Sequence, residues 1–441
     1  MSDPTMLNKQ RDLSLILSAK AEVLLQRGDA GWQIPFTSNP FHFWQSVEWV
    51  NKAVQEAFGL HVITLRCVRV EFDEAAQQRE CLYLQQHLGG AIPSDMAWFS
   101  ANVLPDGLAP ALREEIVGWL ATLDDPAQPG WYRLDGYNAL VQAVGVVDHL
   151  EQLRSWERSS VWRLVQHGET RYLKIAPTMF AHEAPLTRWL AGRFPQHFPH
   201  VLDDNMLLMA DYGEIGLAAR PDPALWARTM VKMAEIQRDL ISETTTLENM
   251  GVPVRPLSWI RERANFLLTD ATYRIGDHTI RSGEAARLRA SVPTLLRLLD
   301  DIEALDIPLT LEHGDLWSGQ IMMHGRNLIF TDWSDATITH PFFSLEFFNA
   351  ELANDLPDHP DAAEQIASAY LQMWTAYAPL ERLQAVYRRA VRAVSPLYSA
   401  LRYTHDILPH MAQRWEMHNM VPYYLRHVLR ALADDPQLSD Y

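Results

Sequence analysis

The run from Leu309 to Phe348, LTLEHGDLWSGQIMMHGRNLIFTDWSDATITHPFFSLEFF, interrupts an otherwise helical half of the chain and constrains its fold more than any other segment. Ile321–His324 and Leu328–Thr331 are strand-like, and Gly325-Arg326-Asn327 between them is a turn sequence. The chain must therefore fold back and return Asp332 close to Asp315, although the two are 17 positions apart. Gln320, five residues after Asp315, falls inside the same loop. Phosphoryl transfer asks a protein to orient a hydroxyl, take its proton, and hold a metal ion against phosphate oxygens. Asp315 suits the proton, and Asp332 with Gln320 the metal.

Past Gly213 the remaining segments carry apolar residues at helical spacing: Trp226–Leu240, Leu257–Leu268, Gly283–Leu299, Asp361–Tyr377, Leu380–Leu401 and Tyr423–Leu432. Before Gly213 the pattern changes to strands. Val161–Gln166 and Arg171–Ala176 flank a polar stretch with Gly, a hairpin signature, and Lys174 lies in the second strand. Phe180–Phe194 follows as a helix with Glu183 in its first turn. Asn205–Ala210 (NMLLMA) is an apolar strand running into Asp211-Tyr212-Gly213. Taken singly, Lys174 is an ordinary strand lysine and Glu183 an acid that stabilises a helix start. Their order ahead of the loop favours a nucleotide site.

His313-Gly314-Asp315, Gln320 and Asp332-Trp333, with trailing Ala336 and His340-Pro341, resemble the aminoglycoside phosphotransferase and choline-kinase-like family of protein-kinase-like enzymes. The run HGDLWSG is also similar to the corresponding loop of fructosamine kinases. The resemblance implies an α+β, bilobal kinase-like fold with a small β-rich lobe and a large helical lobe. It implies ATP or GTP with Mg²⁺ as the phosphate source, and a small-molecule hydroxyl as acceptor. Asp315 would be catalytic base, with His313 bracing its loop, and Gln320 and Asp332 would hold metal. Lys174 would reach the phosphates and Glu183 would hold Lys174. The phosphate-covering turn would lie near Ser159-Ser160 or near His167-Gly168, and Met209 and Asp211 would sit at the hinge that meets the base. Neither G-x-G-x-x-G nor G-x-x-x-x-G-K-[ST] occurs, which favours the small-molecule branch. Two positions depart from the family: Gln320 stands for Asn, and Ser344 for an Asp that is chiefly structural. A nucleotide-binding pseudokinase or regulator is the rival reading.

The first 128 residues read as a separate α/β domain. Strand-like Glu22–Gln26 and His61–Val70 bracket an amphipathic helix within Phe43–Phe58, closed by Gly59. This order resembles a Nudix-like fold, but of its metal-binding glutamates only Glu56 is present, which implies a non-catalytic relative. The turn formers of Asp124–Trp131 mark the boundary, giving an expected division into residues 1–128, a β-rich lobe with a helical linker at 129–215, and a helical lobe at 216–441. Cys67 and Cys81 are too few for a disulfide framework, and the N-terminus has no basic region followed by an apolar run. A cytoplasmic protein with no membrane partner is expected. The net charge of -17 disfavours nucleic acid and is compatible with a cationic substrate, for which Glu346, Glu351 and Asp355 are candidates, although taken alone it reads as a generally acidic, solubilising surface and the three acids as solvated helix charges. Neither the substrate's identity nor the oligomeric state is written in the sequence.

Overall fold

The structure, a computed structural model, describes residues 9–434 except 30, 74–77, 124, 127, 214, 277 and 351. Asp124 of the expected linker, Glu351, and the N-terminal residues 1–8 thus lie outside the described residues. The chain is mixed α+β, β-rich in its first part and helical in its second. It divides into two compact units, one formed by residues up to Thr178 with Leu202–Asp211, the other by Met179–Val201 with Tyr212 onward.

The first unit holds two sheets. Strands β1 (Lys9–Leu17), β2 (Val23–Gly28), β3 (Gly31–Gln33), β5 (His61–Asp73) and β6 (Gln78–Gly89) lie in the order β3-β2-β1-β6-β5, with β4 (Phe36–Asn39) on β1 and β7 (Met96–Phe99) on β2. Only the β1–β6 pair among these is parallel. Alternation decides which residues go to which face. Leu15, Leu17, Val23 and Leu25 enter one core, whereas Ile16 and Leu24 pack with Val54 of helix Glu48–Phe58 on the other side. Gly59 ends that helix at φ 70°, its N–H bonding Gln55 O, as its position in the sequence suggests. Glu56, on the helix surface, pairs with Lys52 at 3.8 Å.

The second sheet has the order β11-β10-β9-β8, from β8 (His149–Trp156), β9 (Ser159–Gln166), β10 (Glu169–Ile175) and β11 (Leu207–Ala210). The expected hairpin is present. His167 and Gly168, at φ 55° and 76°, form its two-residue turn, which suits the twist of the strands it joins. Strand β8 does not appear in the sequence reading, because helix Gly136–Val144 runs up to it with only a short Gly-containing break. Trp162, Leu164, Leu173 and Leu208 of this sheet share a core with Leu15, Leu65, Leu82 and Leu84 of the larger one. The division expected after residue 128 therefore falls inside a unit with a continuous core.

In the second unit, helices Pro223–Asp239, Ser282–Glu303, Ala362–Gln372, Arg392–Arg402 and Met420–Asp434 bury Trp226, Met230, Leu295, Leu371, Leu397 and Leu425 in one core. Short strands stand among them: β12 (Ile215–Gly216) pairs with β14 (Ile321–His324), β14 with β15 (Asn327–Phe330), and β13 (Thr310–Glu312) with β16 (Thr337–Thr339). Among the described residues no helix is long and apolar enough to cross a membrane.

Candidate active site

The loop that leaves β13 is held from both ends. His313 is fully buried, and its Nδ1 accepts from Asp315 N at 3.4 Å while Nε2 lies 2.9 Å from Thr331 O. A ring that accepts at Nδ1 and meets a carbonyl at Nε2 must carry its proton on Nε2, so the neutral tautomer is fixed by its partners. Its face packs on Trp333, ring centroids 4.5 Å apart. His313 thus ties the start of the loop to the strand end beside Asp332.

Asp332 adopts φ 60°, ψ 67°, a left-handed conformation uncommon for a residue with a Cβ. Its Oδ1 accepts from Ser334 Oγ at 2.7 Å, which leaves Oδ2 turned towards Gln320. Gln320 Nε2 stands 3.3 Å from Asp315 Oδ2 and 3.5 Å from Asp332 Oδ2. The hairpin therefore does what its sequence requires, and the three polar side chains meet. An amide nitrogen here sits between two carboxylates, where a cation would be attracted. Turning the amide over puts Oε1 in its place, and the set becomes three hard oxygen donors.

Beneath this cluster lies a buried network that the sequence reading passed over. Glu312, 2% exposed, accepts from Gly314 N (2.8 Å), Ser344 Oγ (3.2 Å) and Thr337 Oγ1 (3.3 Å). Burial pushes its carboxyl above the usual carboxylate range, against the pull of Arg402 and of these hydrogen bonds. Arg402 donates to Gly314 O (3.2 Å), Asp335 O (2.8 Å) and Asp335 Oδ1 (3.0 Å). Burial works against its charge, but Tyr398, Asp335 and Glu312 outweigh it and hold the guanidinium above its ordinary pKa. Ser344, where the family resemblance leads one to expect Asp, also accepts from His313 N at 3.3 Å. The carboxylate missing at 344 has a counterpart in Glu312. Its sequence signal was an acid closing the apolar strand LTLE, directly before His313.

Gly314 is the tight point of the loop. At φ 83°, a Cβ added there would lie 2.1 Å from Asp335 O and 2.8 Å from Arg402 Nη1. Gly314→Ala is expected to destabilise the fold by about 2 kcal/mol or more, because the backbone conformation and the contact are both unfavourable. A denaturation midpoint equal to wild type would contradict this packing.

The remaining predicted residues fall as follows. Lys174 is on β10, opposite Val161 on β9 and Leu207 on β11. Met209 is on the edge strand β11, buried, opposite Tyr172, and Asp211 follows that strand. Glu183 opens helix Glu183–Arg193 and is 2% exposed. Lys174 belongs to the first unit and Glu183 to the second. Ser160 needs a correction: the turn between β8 and β9 is Glu157-Arg158, and Ser160 is fully buried within β9. Its hydroxyl accepts from Trp162 Nε1 at 2.8 Å and points at Arg154 O, so it is not on a phosphate-covering turn. Asp355, a candidate for a cationic substrate, accepts from Ser318 Oγ at 2.6 Å and so braces the same loop. Among the described residues no cluster of three or more His, Cys, Asp or Glu could hold a metal. The candidate set is a pair of carboxylates with an amide.

No family model matches the chain, and no curated protein sequence matches it. Solved structures with a similar course of the chain include small-molecule kinases. An ethanolamine kinase of Plasmodium vivax is 13% identical, covering 77% of this chain and 98% of its own, with a TM-score of 0.48. A choline/ethanolamine kinase family protein from Mesorhizobium loti is 14% identical over 69% of this chain and 96% of its own, TM-score 0.44. An aminoglycoside phosphotransferase from Streptomyces rimosus, solved with ADP and streptomycin, is 18% identical over 57% of this chain and 98% of its own, TM-score 0.37. None of these likenesses supports the Nudix-like reading of the first 128 residues. All are distant, and what the chain does chemically has to be read from the loop between Glu312 and Asp332.

Proposed function

We propose that this chain is a small-molecule phosphotransferase, moving the γ-phosphate of ATP or GTP to a hydroxyl. The observation that carries the proposal is the meeting of Asp315, Gln320 and Asp332, with Asp315 N and Thr331 O, the carbonyl just before Asp332, tied together through His313. The donor set fits Mg²⁺, which favours carboxylate and carbonyl oxygens. Asp332 and Gln320 would hold it. When bound, such an ion neutralises phosphate oxygens.

Asp315 accepts the proton of the acceptor hydroxyl. That hydroxyl oxygen forms a bond to the γ-phosphorus, the bond to the bridging oxygen breaks, and the nucleoside diphosphate leaves with the electron pair. Because the transition state is loose, Asp315 contributes as much by orienting the hydroxyl as by its basicity. The resemblance assigns neutralisation of the phosphate tail to Lys174, the positioning of that lysine to Glu183, and recognition of the base to the backbone near Met209 and Asp211. These three roles follow from the resemblance and from the order of residues. The substrate is a small hydroxylated molecule, and the acidic balance of the chain favours a cationic one.

The test is nucleotide consumption over a panel of amino- and hydroxyl-bearing metabolites and antibiotics, with Asp315→Asn as the blank. Substrate-dependent turnover that the blank lacks supports the proposal; equal signal from both proteins overturns it. A regulatory, non-catalytic nucleotide binder is the second reading, favoured by the amide nitrogen that bridges both carboxylates. Gln320→Asn tests the metal role of that side chain. Shortening the side chain by one methylene withdraws the amide from between the carboxylates and leaves fewer rotamers to freeze. Mg²⁺-dependent nucleotide affinity is expected to tighten by about 3–10-fold, from fractions of a kcal/mol to about 1.4 kcal/mol. Unchanged or weaker affinity would count against the proposed metal role of Gln320.

A further inference from the structure

Helix Phe342–Ala350 has two working faces. Ser344 bonds into the loop below the candidate active site. Glu346 and Asn349, two and five positions later, lie about 200° and 140° further round the helix, on its opposite side. There they line an open cavity of about 420 Å³ in the helical unit, within the size range of small-ligand sites. None of Asp315, Gln320 and Asp332 lines it.

The charge of this cavity runs against that of the chain. In a protein of net charge -17, Arg388, Arg392 and Arg430 all face one space. Two acids share the lining: Glu364 pairs with Arg388 at 2.7 Å, and Glu346 lies within the electrostatic reach of Arg392. Between helices Leu380–Val386 and Arg392–Arg402 the chain widens into a π turn at Tyr387–Val391, a feature often found at functional sites. That turn delivers Tyr387 and Arg388 to the cavity, and Arg392 follows directly after it. Tyr387 Oη donates to Glu346 at 2.8 Å and accepts from Asn349 Nδ2 at 3.0 Å. The same Nδ2 donates to Ala363 O, which fixes the amide so that Oδ1 is left as a buried acceptor with no protein donor. A guest that satisfied this wall would bring negative charge to the arginines and a donor to Asn349.

We propose that this cavity binds a small hydroxylated molecule bearing a compact, doubly charged oxyanion of the phosphate type. Arginine forks hold the oxyanion, and a ligand hydroxyl donates to Asn349 Oδ1. The site is independent of the proposed phosphoryl transfer.

The proposal makes binding depend on pH through Glu346. Burial pushes its carboxyl up to about 7, opposed by the Tyr387 hydrogen bond and by Arg392. Among the other groups facing the cavity, burial and Arg430 lower the His427 pKa and burial lifts Tyr387 well above the ordinary tyrosine range, while Glu364, Arg388, Arg392 and Arg430 complete its charged lining. As pH rises through 7, Glu346 ionises beside the guest, so anion affinity falls.

Calorimetric titration of the full chain with sulfate, whose charge is constant over this range, and with glycerol 3-phosphate tests the site. Glycerol 3-phosphate is expected to bind more tightly than sulfate. Sulfate should bind about fivefold more weakly at pH 8 than at pH 6.5. Arg392 and Arg430 are exposed, so R392A/R430A should fold normally and weaken both ligands by at least about tenfold. E346Q keeps the Tyr387 contact and should remove the pH dependence of sulfate binding. K174A should leave both affinities unchanged. The proposal is overturned by R392A/R430A affinities equal to wild type, by a pH dependence that survives E346Q, or by loss of binding in K174A.

Discussion

Asp315→Asn is expected to lower nucleotide-dependent phosphorylation by about 10²–10⁴-fold while leaving nucleotide affinity within a few-fold of wild type. The substitution keeps the size and shape of the side chain, and its backbone N–H still donates to His313 Nδ1, so the loop keeps its form. What changes is chemical. The amide cannot take the hydroxyl proton, and whichever of its atoms faces Gln320 no longer carries charge. Because Asp332 with its Ser334 hydrogen bond is untouched, the metal arm of the site survives. The rate should therefore fall in kcat, with KM for the nucleotide little moved. A loss confined to nucleotide binding would mean that Asp315 is a ligand, and Asp332 or an unrecognised group the base. Retention of full turnover would remove Asp315 from catalysis altogether.

How far this site could be read from the sequence depends on the range of the forces that build it. The hairpin between Gln320 and Thr331 is local: a Gly-containing turn between two short apolar strands dictates the reversal, and Asp332 follows from it. The His167-Gly168 turn and the Gly59 helix stop were legible for the same reason. Helix limits in the second unit were legible to within a few residues where an apolar stripe was continuous, as in Ser282–Glu303. Strand β8 was not, because alternation in HLEQLRSW is weak and its pairing with β9 is interrupted by a register shift. Ser160 was misread because a pair of serines looks like a turn, whereas Trp162 and the sheet core bury it. Arg402 and Asp335 were invisible for a third reason. Their partnership joins residues 67 apart, and nothing in either one's neighbourhood announces the other.

That partnership supplies the second large effect: Arg402→Met is expected to destabilise the second unit by about 3–5 kcal/mol. The guanidinium is buried and closes the loop with three hydrogen bonds, two to backbone carbonyls of Gly314 and Asp335 and one to the Asp335 carboxylate. Methionine matches much of its volume but donates nothing. It leaves Asp335, 7% exposed, without its ion pair, and Glu312 without the positive charge that opposes its desolvation. The compensating variant distinguishes a lost charge balance from a mere packing defect. Arg402→Met combined with Asp335→Asn removes both charges, and should recover about half of the loss, as chemical denaturation of the four members of the double-mutant cycle would measure. Strict additivity of the two single losses would show that the pair does not interact energetically. Recovery of stability without recovery of turnover would show that Arg402 also positions Asp315 through Gly314 O, an effect that stability alone does not report.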